Sequence, residues 1–486
     1  MNNEILINVT PQEKRVAIIQ RGIVQELLIE REANRGIVGN IYKGIVKRIL
    51  PGMQSAFVEI GLDKAAFLHV ADVIQRNDPD AQTTPIEKIL HEGQKVLVQV
   101  IKDPIGTKGA RLSTQISVAG RLLVHLPYEN RIGISQKITE EDNRDKLRER
   151  LQGIIGNEDD QGFIIRTLAE SATDEELKAD IDYLKRIWRD IHEKSTQAEA
   201  PALLYQDLDL SLRIVRDYVT VESEKILVDS RETFQKMKEF SKLFIPEYAD
   251  RVQLYASERP MFELYGVEDE IEKALSRKVS LKSGGYLVID QTEALTTIDV
   301  NTGGFVGDKN FEETIFKNNL EAAQAIARQL RLRNLGGIIL IDFIDMESDG
   351  HRESILNELN SAISLDRTRI TINGFTDLGL VEMTRKRTRE SLAHILCEPC
   401  PTCSGRGEIK TVHTICYQIL RELVRESRQY SPDHLRVIAS KNVIDYFLEE
   451  NSQSIAMVEE FLGKPVSLQP DSTYAQENYD IVLGRN

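Results

Sequence analysis

The sequence predicts a multidomain α/β protein built from several small sheets with helices between them. A chain of 486 residues is too long for a single hydrophobic core and should divide into about three or four domains. Its content of apolar residues, 41%, and of charged residues, 29%, is that of an ordinary soluble globular protein. Short β-branched runs bounded by glycine alternate with longer stretches of helical spacing, most clearly over residues 284–346.

Composition argues against a membrane-spanning protein and leaves nucleic-acid binding open. No run approaches the roughly 18 uninterrupted apolar residues that a transmembrane helix requires. The first residues, MNNEILINVTPQEKRVAII, form a charged strand pattern without a signal-peptide hydrophobic segment, so we expect a cytoplasmic protein. The net charge of −15 argues against nucleic-acid binding over the whole surface, but a groove that gathers basic residues is compatible with it.

The pattern of residues 1–35 indicates a pair of strands joined by a charged turn. Such a pair is too small for a domain and needs a sheet that is completed later in the chain. Residues 216–280 alternate strand and helix patterns and are the candidate for the missing part. If the two segments share one sheet, residues 36–215 are an insertion into a single α/β domain.

Residues 36–118 contain five short strands separated by turn residues, which indicates a small barrel of the OB type. Phe57 and Phe67 fall on neighbouring strands, and exposed aromatic rings on an OB face stack bases; the alternative is that both rings lie in the core. The run GNIYKGIVKRILPGMQSAFVEIG closely resembles an S1-type RNA-binding domain, which implies single-stranded RNA as the ligand. Basic residues are available for phosphate contacts: Lys43, Lys47, Arg48, Lys108 and Arg111.

Residues 119–215 contain a strand, 163–165, that delivers Arg166 and Thr167, followed by an acidic first turn of a long helix. An arginine beside a hydroxyl at a strand end can clasp a phosphate, because the guanidinium binds it in a fork and the hydroxyl adds a donor. The alternative is a surface arginine paired with one of the many acidic residues nearby.

Two short apolar runs in residues 281–396 indicate buried strands, one over 286–289 and one over 338–341. Between them, residues 311–333 repeat apolar side chains at helical spacing, with Asn310 as the predicted N-cap. This helix would bring the second strand beside the first. The strands deliver carboxylates that need a partner, and a divalent cation is the obvious one. The candidates are Asp290, Asp299, Asp342 and Asp345.

The densest basic cluster of the chain follows these strands. It consists of Arg385, Lys386, Arg387 and Arg389. Such a cluster is usually a solvated helix face, but beside a carboxylate metal site it would suit a polyanionic substrate.

All four cysteines lie within 20 residues, which in a cytosol-like chain favours metal over disulfide bonds. Cys400 and Cys403 have the CxxC spacing of a zinc half-site in a Pro- and Gly-rich knuckle, residues 397–409. Two further ligands would come from Cys397 and Cys416 or from a second chain, and unligated thiols are the alternative. Residues 410–486 indicate a small α/β module without visible chemistry.

Four segments together resemble the ribonuclease E/G family over nearly the whole chain: TTIDVN, EAAQAIARQLRLRNLGGIILIDFIDM, GLVEMTRKR and CPTCSGRG. The short length and the knuckle followed by TVHTICYQILRE resemble the G type of that family. The resemblance implies an RNase H-like fold (1–35 and 216–280), an inserted S1-type OB domain (36–118) and 5′-sensor domain (119–215), a DNase I-like catalytic domain (281–396), a zinc link (397–409) and a small dimerisation domain (410–486).

The same resemblance implies roles for single residues. Asp299 and Asp342 match the family's magnesium-binding aspartates and Asn301 their catalytic partner. Cys400 and Cys403 match the pair that shares one Zn²⁺ between two protomers. Phe57, Phe67 and Lys108 match RNA-gripping residues. The pocket that senses a 5′-monophosphate matches Gly120, Val124, Arg166, Thr167 and Arg369.

The expected function is therefore that of a Mg²⁺-dependent endoribonuclease that cleaves single-stranded RNA hydrolytically and is stimulated by a 5′-monophosphate end. The resemblance implies action in rRNA maturation and mRNA turnover, with rRNA precursors and mRNA as substrates. It also implies a homodimer, or a dimer of such dimers. The alternatives are a non-catalytic RNA-binding scaffold and a DNA nuclease.

Overall fold

The computed structural model describes residues 3–73, 84–104, 108–156, 161–304, 311–387, 389–450 and 452–484, without the side chains of Asn34 and Phe311. The chain divides into two compact units, Met1–Ile395 and Leu396–Asn486. Within the described ranges, none of the helices combines the length and the apolar character needed to cross a membrane.

The first sheet joins the start of the chain to a segment about 220 residues later. Its strand order is β15-β14-β1-β2-β3, with β1 parallel to β14 and antiparallel to β2. The strands are β1 (Asn3–Val9), β2 (Glu13–Gln20), β3 (Ile23–Arg31), β14 (Ser223–Val228) and β15 (Val252–Leu254). The helices that accompany it are α4 (Leu210–Asp217), α5 (Arg231–Phe244), α6 (Met261–Leu264) and α7 (Val267–Leu275).

The predicted pair of strands in residues 1–35 is wrong by one strand. Arg21 and Gly22 both have positive φ, 52° and 74°, so the chain reverses there and divides the second apolar run into β2 and β3. Residues 216–280 do complete the sheet, as predicted, through β14 and β15. Its core also contains Leu210 and Ile214 of α4, which precede residue 216.

A closed barrel follows. Its strands are β4 (Ile41–Leu50), β5 (Ser55–Glu59), β6 (Ala66–His69), β7 (Lys95–Lys102) and β8 (Arg111–Ser113), with the short helix α1 (Ile86–Ile89) before β7. The strand order is β4-β5-β6-β8-β7, and pairing of β4 with β7 closes the ring. A later strand, β13 (Ala202–Tyr205), pairs with β4 from outside. The prediction of a small five-stranded barrel is confirmed.

After the barrel comes a second inserted part of the chain, here called the second inserted layer, residues 118–197. It contains a four-stranded sheet with the order β11-β12-β10-β9. Its elements are β9 (Val118–Ala119), β10 (Leu123–Leu126), β11 (Ile132–Ile134), β12 (Gly162–Ile165), α2 (Glu141–Ile155) and α3 (Asp174–Gln197). Helix α3 begins with a capping box between Thr173 and Glu176, and the predicted acidic first turn is present.

A six-stranded sheet carries the candidate active site, with the strand order β16-β17-β18-β19-β21-β20. Its strands are β16 (Lys278–Ser280), β17 (Tyr286–Gln291), β18 (Leu295–Asn301), β19 (Gly337–Asp342), β20 (Ile370–Phe375) and β21 (Leu380–Arg385). The helices are α8 (Phe311–Leu332), α9 (Asp349–Ile363) and α10 (Leu392–Leu396). The predicted N-cap, Asn310, lies outside the described residues.

Two expectations about this sheet need correction. Strand β19 pairs in parallel with β18, and β17 lies on the far side of β18, so the two apolar runs are not neighbours. Nor is the second run buried throughout: Ile339 and Ile341 face the core, whereas Ile338 is 51% exposed. Among the described residues, the apolar core packs against one face of this sheet, which produces alternating burial.

The second unit contains a three-stranded sheet with the order β23-β22-β24. Its elements are α11 (Val412–Tyr430), β22 (His434–Ala439), α12 (Lys441–Glu449), α13 (Ser452–Leu462), β23 (Val466–Pro470) and β24 (Tyr479–Gly484). Its core combines apolar residues of α11, α12 and β22. This is a small α/β module, as predicted.

Candidate active site

Asp299 and Asp342 lie side by side on two parallel strands. Asp299 is two residues before the end of β18, Asp342 is the last residue of β19, and their Cα atoms are direct partners in the register. Their neighbours along the strands, Ile298, Val300 and Ile341, are buried, so both carboxylates emerge on the exposed face. The β18–α8–β19 connection thus joins two acids that are 43 positions apart in the sequence.

The pocket around this pair contains a third carboxylate. Asp345 lines the same open pocket of about 320 Å³ as Asp299, Asn301 and Asp342. Asn301 donates a hydrogen bond from Nδ2 to Asp299 Oδ2 at 2.9 Å, which orients that carboxylate. Partial burial, and then the negative charges of Asp299 and Asp345, raise the pKa of the Asp342 carboxyl. Asp345, one of the four candidate aspartates of the sequence, thus belongs to the pocket.

This donor set suits a hard divalent cation. Mg²⁺ in proteins commonly takes one or two carboxylates and keeps several waters, and two exposed carboxylates on one sheet face provide that arrangement. Neighbouring carboxylates repel each other unless a cation balances them, and this repulsion contributes to the raised pKa of the Asp342 carboxyl. Within the described ranges, no group of three or more His, Cys, Asp or Glu side chains is arranged to enclose a metal. Two carboxylates leave the remaining positions of an octahedral ion to water.

Two other features of the sequence turn out to be structural. Asp290, one of the four candidate aspartates, forms an ion pair with Arg277 and does not line the pocket. Arg385 points into the core, where it pairs with Asp366 at 2.9 Å. In the register of β19 with β21, Arg385 lies opposite Gly337 whereas Leu380 lies opposite Asp342. Five residues of strand separate the two ends by about 16 Å, so Arg385 is not beside the carboxylates.

A row of aromatic and basic residues crosses the outer face of the barrel. Phe57 of β5 pairs in register with Phe67 of β6, and their ring centroids are 6.3 Å apart in an edge-to-face arrangement. Arg48 pairs with Phe57 on one side, and Arg111 pairs with Phe67 on the other. Both rings are half-buried and stand outside the barrel's core cluster, so the alternative of two core phenylalanines is wrong.

The basic residues near this row differ in how they are bound. Lys43 donates to the carbonyl oxygens of Ser195 and Ala198 and so ties the barrel to the end of α3. Of the other four, Lys47 pairs with Glu59 and Arg111 pairs with Asp72, whereas Arg48 and Lys108 are exposed.

Arg166 lies at a junction between the second inserted layer and the first sheet. Its guanidinium donates to the backbone oxygen of Gly120 and to Asp217 Oδ1 at 2.8 Å. Burial opposes ionisation of Asp217, but the guanidinium groups of Arg216 and Arg166 outweigh it and lower its pKa. The ion pair expected of a surface arginine is thus present, and Arg166 is only partly exposed.

The other residues implied for the phosphate pocket surround this junction. Thr167 follows Arg166, and Val124 lies on β10 beside β12. A side-chain carbon at Gly120 would lie 2.6 Å from the carboxylate of Asp180, which accepts three backbone N–H groups. Arg369 reaches Gln136 Oε1 at 3.2 Å. The same loop anchors Arg367 on the Asp217 backbone oxygen.

The cysteine knuckle carries two thiols at CxxC spacing, an exposed one on Cys400 and a buried one on Cys403. Backbone N–H groups of Cys403 and Thr402 lower the pKa of the exposed Cys400 thiol, and Cys403 Sγ accepts a hydrogen bond from the Gly407 N–H at 3.3 Å. Cys397 is exposed. Cys416 lies in the core of the second unit, where burial raises its pKa to about 11. Cys416 Sγ lies 3.9 Å from the carbonyl oxygen of Val443 in this core, and its part in a zinc site stays a prediction.

Comparison with protein families matches three parts of the chain. The model of the Ribonuclease E/G family covers residues 117–388, that of the S1 RNA binding domain covers 37–115, and that of the RNase E/G, Thioredoxin-like domain covers 399–484. The barrel is thus an S1 domain. The C-terminal match includes the cysteine knuckle and the small α/β module in one thioredoxin-like domain.

Curated relatives align with the chain over nearly its full length. Ribonuclease G of Salmonella typhimurium (strain SL1344) is 52% identical over 99% of this chain and 100% of the relative. Ribonuclease G of Haemophilus influenzae is 49% identical over 99% of both chains. Ribonuclease E of Escherichia coli (strain K12) is 36% identical over 94% of this chain and 43% of that relative. These full-length similarities and the family match show that the chain belongs to the ribonuclease E/G family.

Proposed function

We propose that this chain is an endoribonuclease that cleaves single-stranded RNA hydrolytically and depends on Mg²⁺ held by Asp299 and Asp342. The direct pairing of these two aspartates at an exposed pocket carries the proposal. Their negative charges would hold the Mg²⁺ that an anionic RNA phosphate needs in order to approach and react there. Names of the relatives support RNA as the substrate. We also assign a DNase I-like fold to the domain whose sheet carries Asp299 and Asp342. The domain whose sheet begins with β1 is assigned an RNase H-like fold.

In this proposal Asp299 and Asp342 are the protein ligands of the cation, and Asn301 fixes the orientation of the Asp299 carboxylate through its Nδ2–H. A bound Mg²⁺ would polarise the scissile phosphate and lower the pKa of bound water. The pocket that these residues line is open, so an extended stretch of single-stranded RNA can lie across it. The products carry 5′-phosphate and 3′-hydroxyl ends, because water rather than the 2′-hydroxyl is the nucleophile.

The inserted domains would supply the grip on the substrate. Phe57 and Phe67 present stacking surfaces, with exposed Lys108 for the phosphates. For the 5′-monophosphate pocket, Gly120, Val124, Arg166, Thr167 and Arg369 are the candidates, and a terminal phosphate would compete with Asp217 for Arg166. This pocket would favour 5′-monophosphorylated rRNA precursors and mRNA.

We further propose a cytoplasmic homodimer, or a dimer of such dimers, in which Cys400 and Cys403 of each chain share one Zn²⁺. The two free thiols would make half of a tetrahedral site, and a second protomer would supply the other half. About one Zn²⁺ per two chains in a metal analysis would support sharing, whereas one per chain would contradict it.

A cleavage assay on AU-rich single-stranded RNA, with and without EDTA, tests the catalytic proposal. We expect Mg²⁺-dependent cleavage by the wild-type protein and none by Asp299→Asn, which keeps the side-chain shape and should keep RNA binding. A matching DNA strand is expected to remain intact. Cleavage by Asp299→Asn at the wild-type rate would contradict the metal assignment, and absence of cleavage by the wild type would favour the scaffold.

The 5′ end of the substrate tests the sensor. We expect faster cleavage of a 5′-monophosphorylated oligonucleotide than of its 5′-hydroxyl counterpart, and loss of that difference in Arg166→Ala. Equal rates for both substrates in the wild-type protein would refute the sensor proposal.

A further inference from the structure

Helix α8 carries two consecutive asparagines, Asn318 and Asn319, whose side chains are fully buried. Asparagine is a poor helix former, and a buried amide is costly unless it is hydrogen-bonded. Asn319 also falls on the apolar stripe of the helix, between Ile315 and Ala322–Ala323, which are buried as well. A polar residue at this place therefore needs an explanation that helix stability does not provide.

The Asn319 amide binds the backbone just after the metal-binding strand. Its Nδ2 donates to the carbonyl oxygen of Ile344 at 2.8 Å, and its Oδ1 accepts from the Ile344 N–H at 3.2 Å. Ile344 lies between Asp342 and Asp345. Strand pairing of β19 with β18 and β21 ends at Asp342. The amide thus takes the place of a strand partner where the sheet has stopped.

Asn318 reaches the other catalytic strand. Its Oδ1 accepts from the Ser283 hydroxyl at 3.1 Å, and its Nδ2 lies 3.5 Å from the carbonyl oxygen of Asn301. One buried turn of α8 therefore contacts the backbone at the ends of both β18 and β19. The Asn319 contacts are the shorter pair and make a two-bond clamp.

We propose that Asn319 is a positioning residue of the active site: its buried amide clamps the backbone of Ile344 and so holds Asp342 and Asp345 in place opposite Asp299. One hydrogen bond to the N–H and one to the C=O of the same residue fix both the position and the rotation of the backbone between the two acids. The inference rests on the proposed cation site, and it assigns Asn319 no contact with the cation or with RNA.

Direct metal binding by the folded, RNA-free protein tests this role. Mn²⁺ serves as the probe, and bound ion is measured by electron paramagnetic resonance with Asp299→Asn as the blank. In Asn319→Leu the side chain keeps its approximate volume but both hydrogen bonds are lost, and Asn319→Ala removes them with a cavity. Loss of residues that orient metal ligands typically weakens metal binding by about 10- to 100-fold, and we expect a weakening in that range.

A matched control lies on the same helix. Gln329 is also a buried polar residue of α8, but it accepts a hydrogen bond from Arg333, just past the end of the helix, and lies about 15 Å further along the axis. Gln329→Ala should lower the urea midpoint and leave Mn²⁺ affinity within about twofold. The Mg²⁺ concentration for half-maximal cleavage should rise in Asn319→Leu, with kcat approached at high Mg²⁺.

The outcomes separate this inference from the proposed function. Equal Mn²⁺ binding by the wild-type protein and Asp299→Asn would refute the cation site itself. A clear difference there, with wild-type affinity in a folded Asn319→Leu, would refute the clamp alone. Failure of both Asn319 variants to fold would also overturn it, because the amide would then be a stability element.

Discussion

Replacing Phe57 or Phe67 by alanine should weaken RNA binding without unfolding the barrel. Both rings are half-buried on the outer face and stand outside the barrel's core cluster, so little apolar packing is lost with them. A base stacked on an aromatic side chain contributes about 1–3 kcal/mol, which corresponds to a Kd about 5- to 150-fold higher for each variant.

The contact between the two rings adds a second expectation. Their centroids are 6.3 Å apart, edge to face, and such pairs contribute about 0.5–1.5 kcal/mol beyond burial. Removing one ring therefore also loosens the other. The double variant should lose less affinity than the sum of the two single losses, by about that amount.

Fluorescence anisotropy with a labelled single-stranded RNA measures these Kd values, with Asp299→Asn as the background so that the probe stays intact. The control is Leu68→Ala, whose side chain is adjacent to Phe67 but fully buried inside the barrel. It should cost about 2–5 kcal/mol of stability and leave the affinity of the folded protein unchanged. The reasoning is refuted if Phe57→Ala leaves Kd within twofold, or if it lowers the urea midpoint as far as Leu68→Ala does.

Three further predictions follow from buried charges and thiols. Arg385→Leu leaves Asp366 buried without its partner and should cost about 3–5 kcal/mol in urea unfolding, whereas the exposed neighbour Lys386→Ala should cost little; equal effects would contradict the buried pair. The pKa of Asp217 is lower in the folded than in the unfolded chain, so its contribution to stability is complete above the ordinary aspartate pKa and is lost as pH falls through the folded value. The urea midpoint should therefore fall less steeply with decreasing pH in Asp217→Asn than in the wild-type protein, and parallel plots of midpoint against pH would refute this. Metal analysis should find zinc lost from Cys400→Ser and retained in Cys416→Ala, and the reverse pattern would exclude the knuckle as the zinc site.

Local sequence patterns predicted the barrel, because its signals lie within short segments. For the acids they supplied four candidates, and the family resemblance singled out Asp299 and Asp342. Alternating strands and turns define the barrel, and the helical spacing of 311–333 implies the crossover that joins β18 to β19. What local patterns could not supply is which strands are neighbours. β17 and β19 look alike in sequence, yet β18 lies between them.

Other misses had a signal that was present but weak. Arg385 follows Val381 and Met383 at a spacing of two residues, which is the spacing of an inward-facing strand side. Its cluster with exposed basic neighbours concealed that alternation. Asn319 likewise breaks an apolar helical stripe, and such a break predicts a specific hydrogen bond. Neither partner, Asp366 or Ile344, can be identified from spacing alone, because both lie in other elements.

The pairing of β1 with β14 has a consequence for how the protein is made. β1 occupies an interior position of its sheet, and Asn3 pairs with Ser223. At about 5–20 residues per second, the ribosome needs roughly 10–45 s to synthesise the intervening chain. During this interval β1, β2 and β3 lack the partner strand on the β1 side, while the barrel strands β4–β8 are already complete. An unpaired strand edge invites pairing with other chains, so the nascent protein is most exposed to aggregation at the β1 edge before residue 228 has emerged.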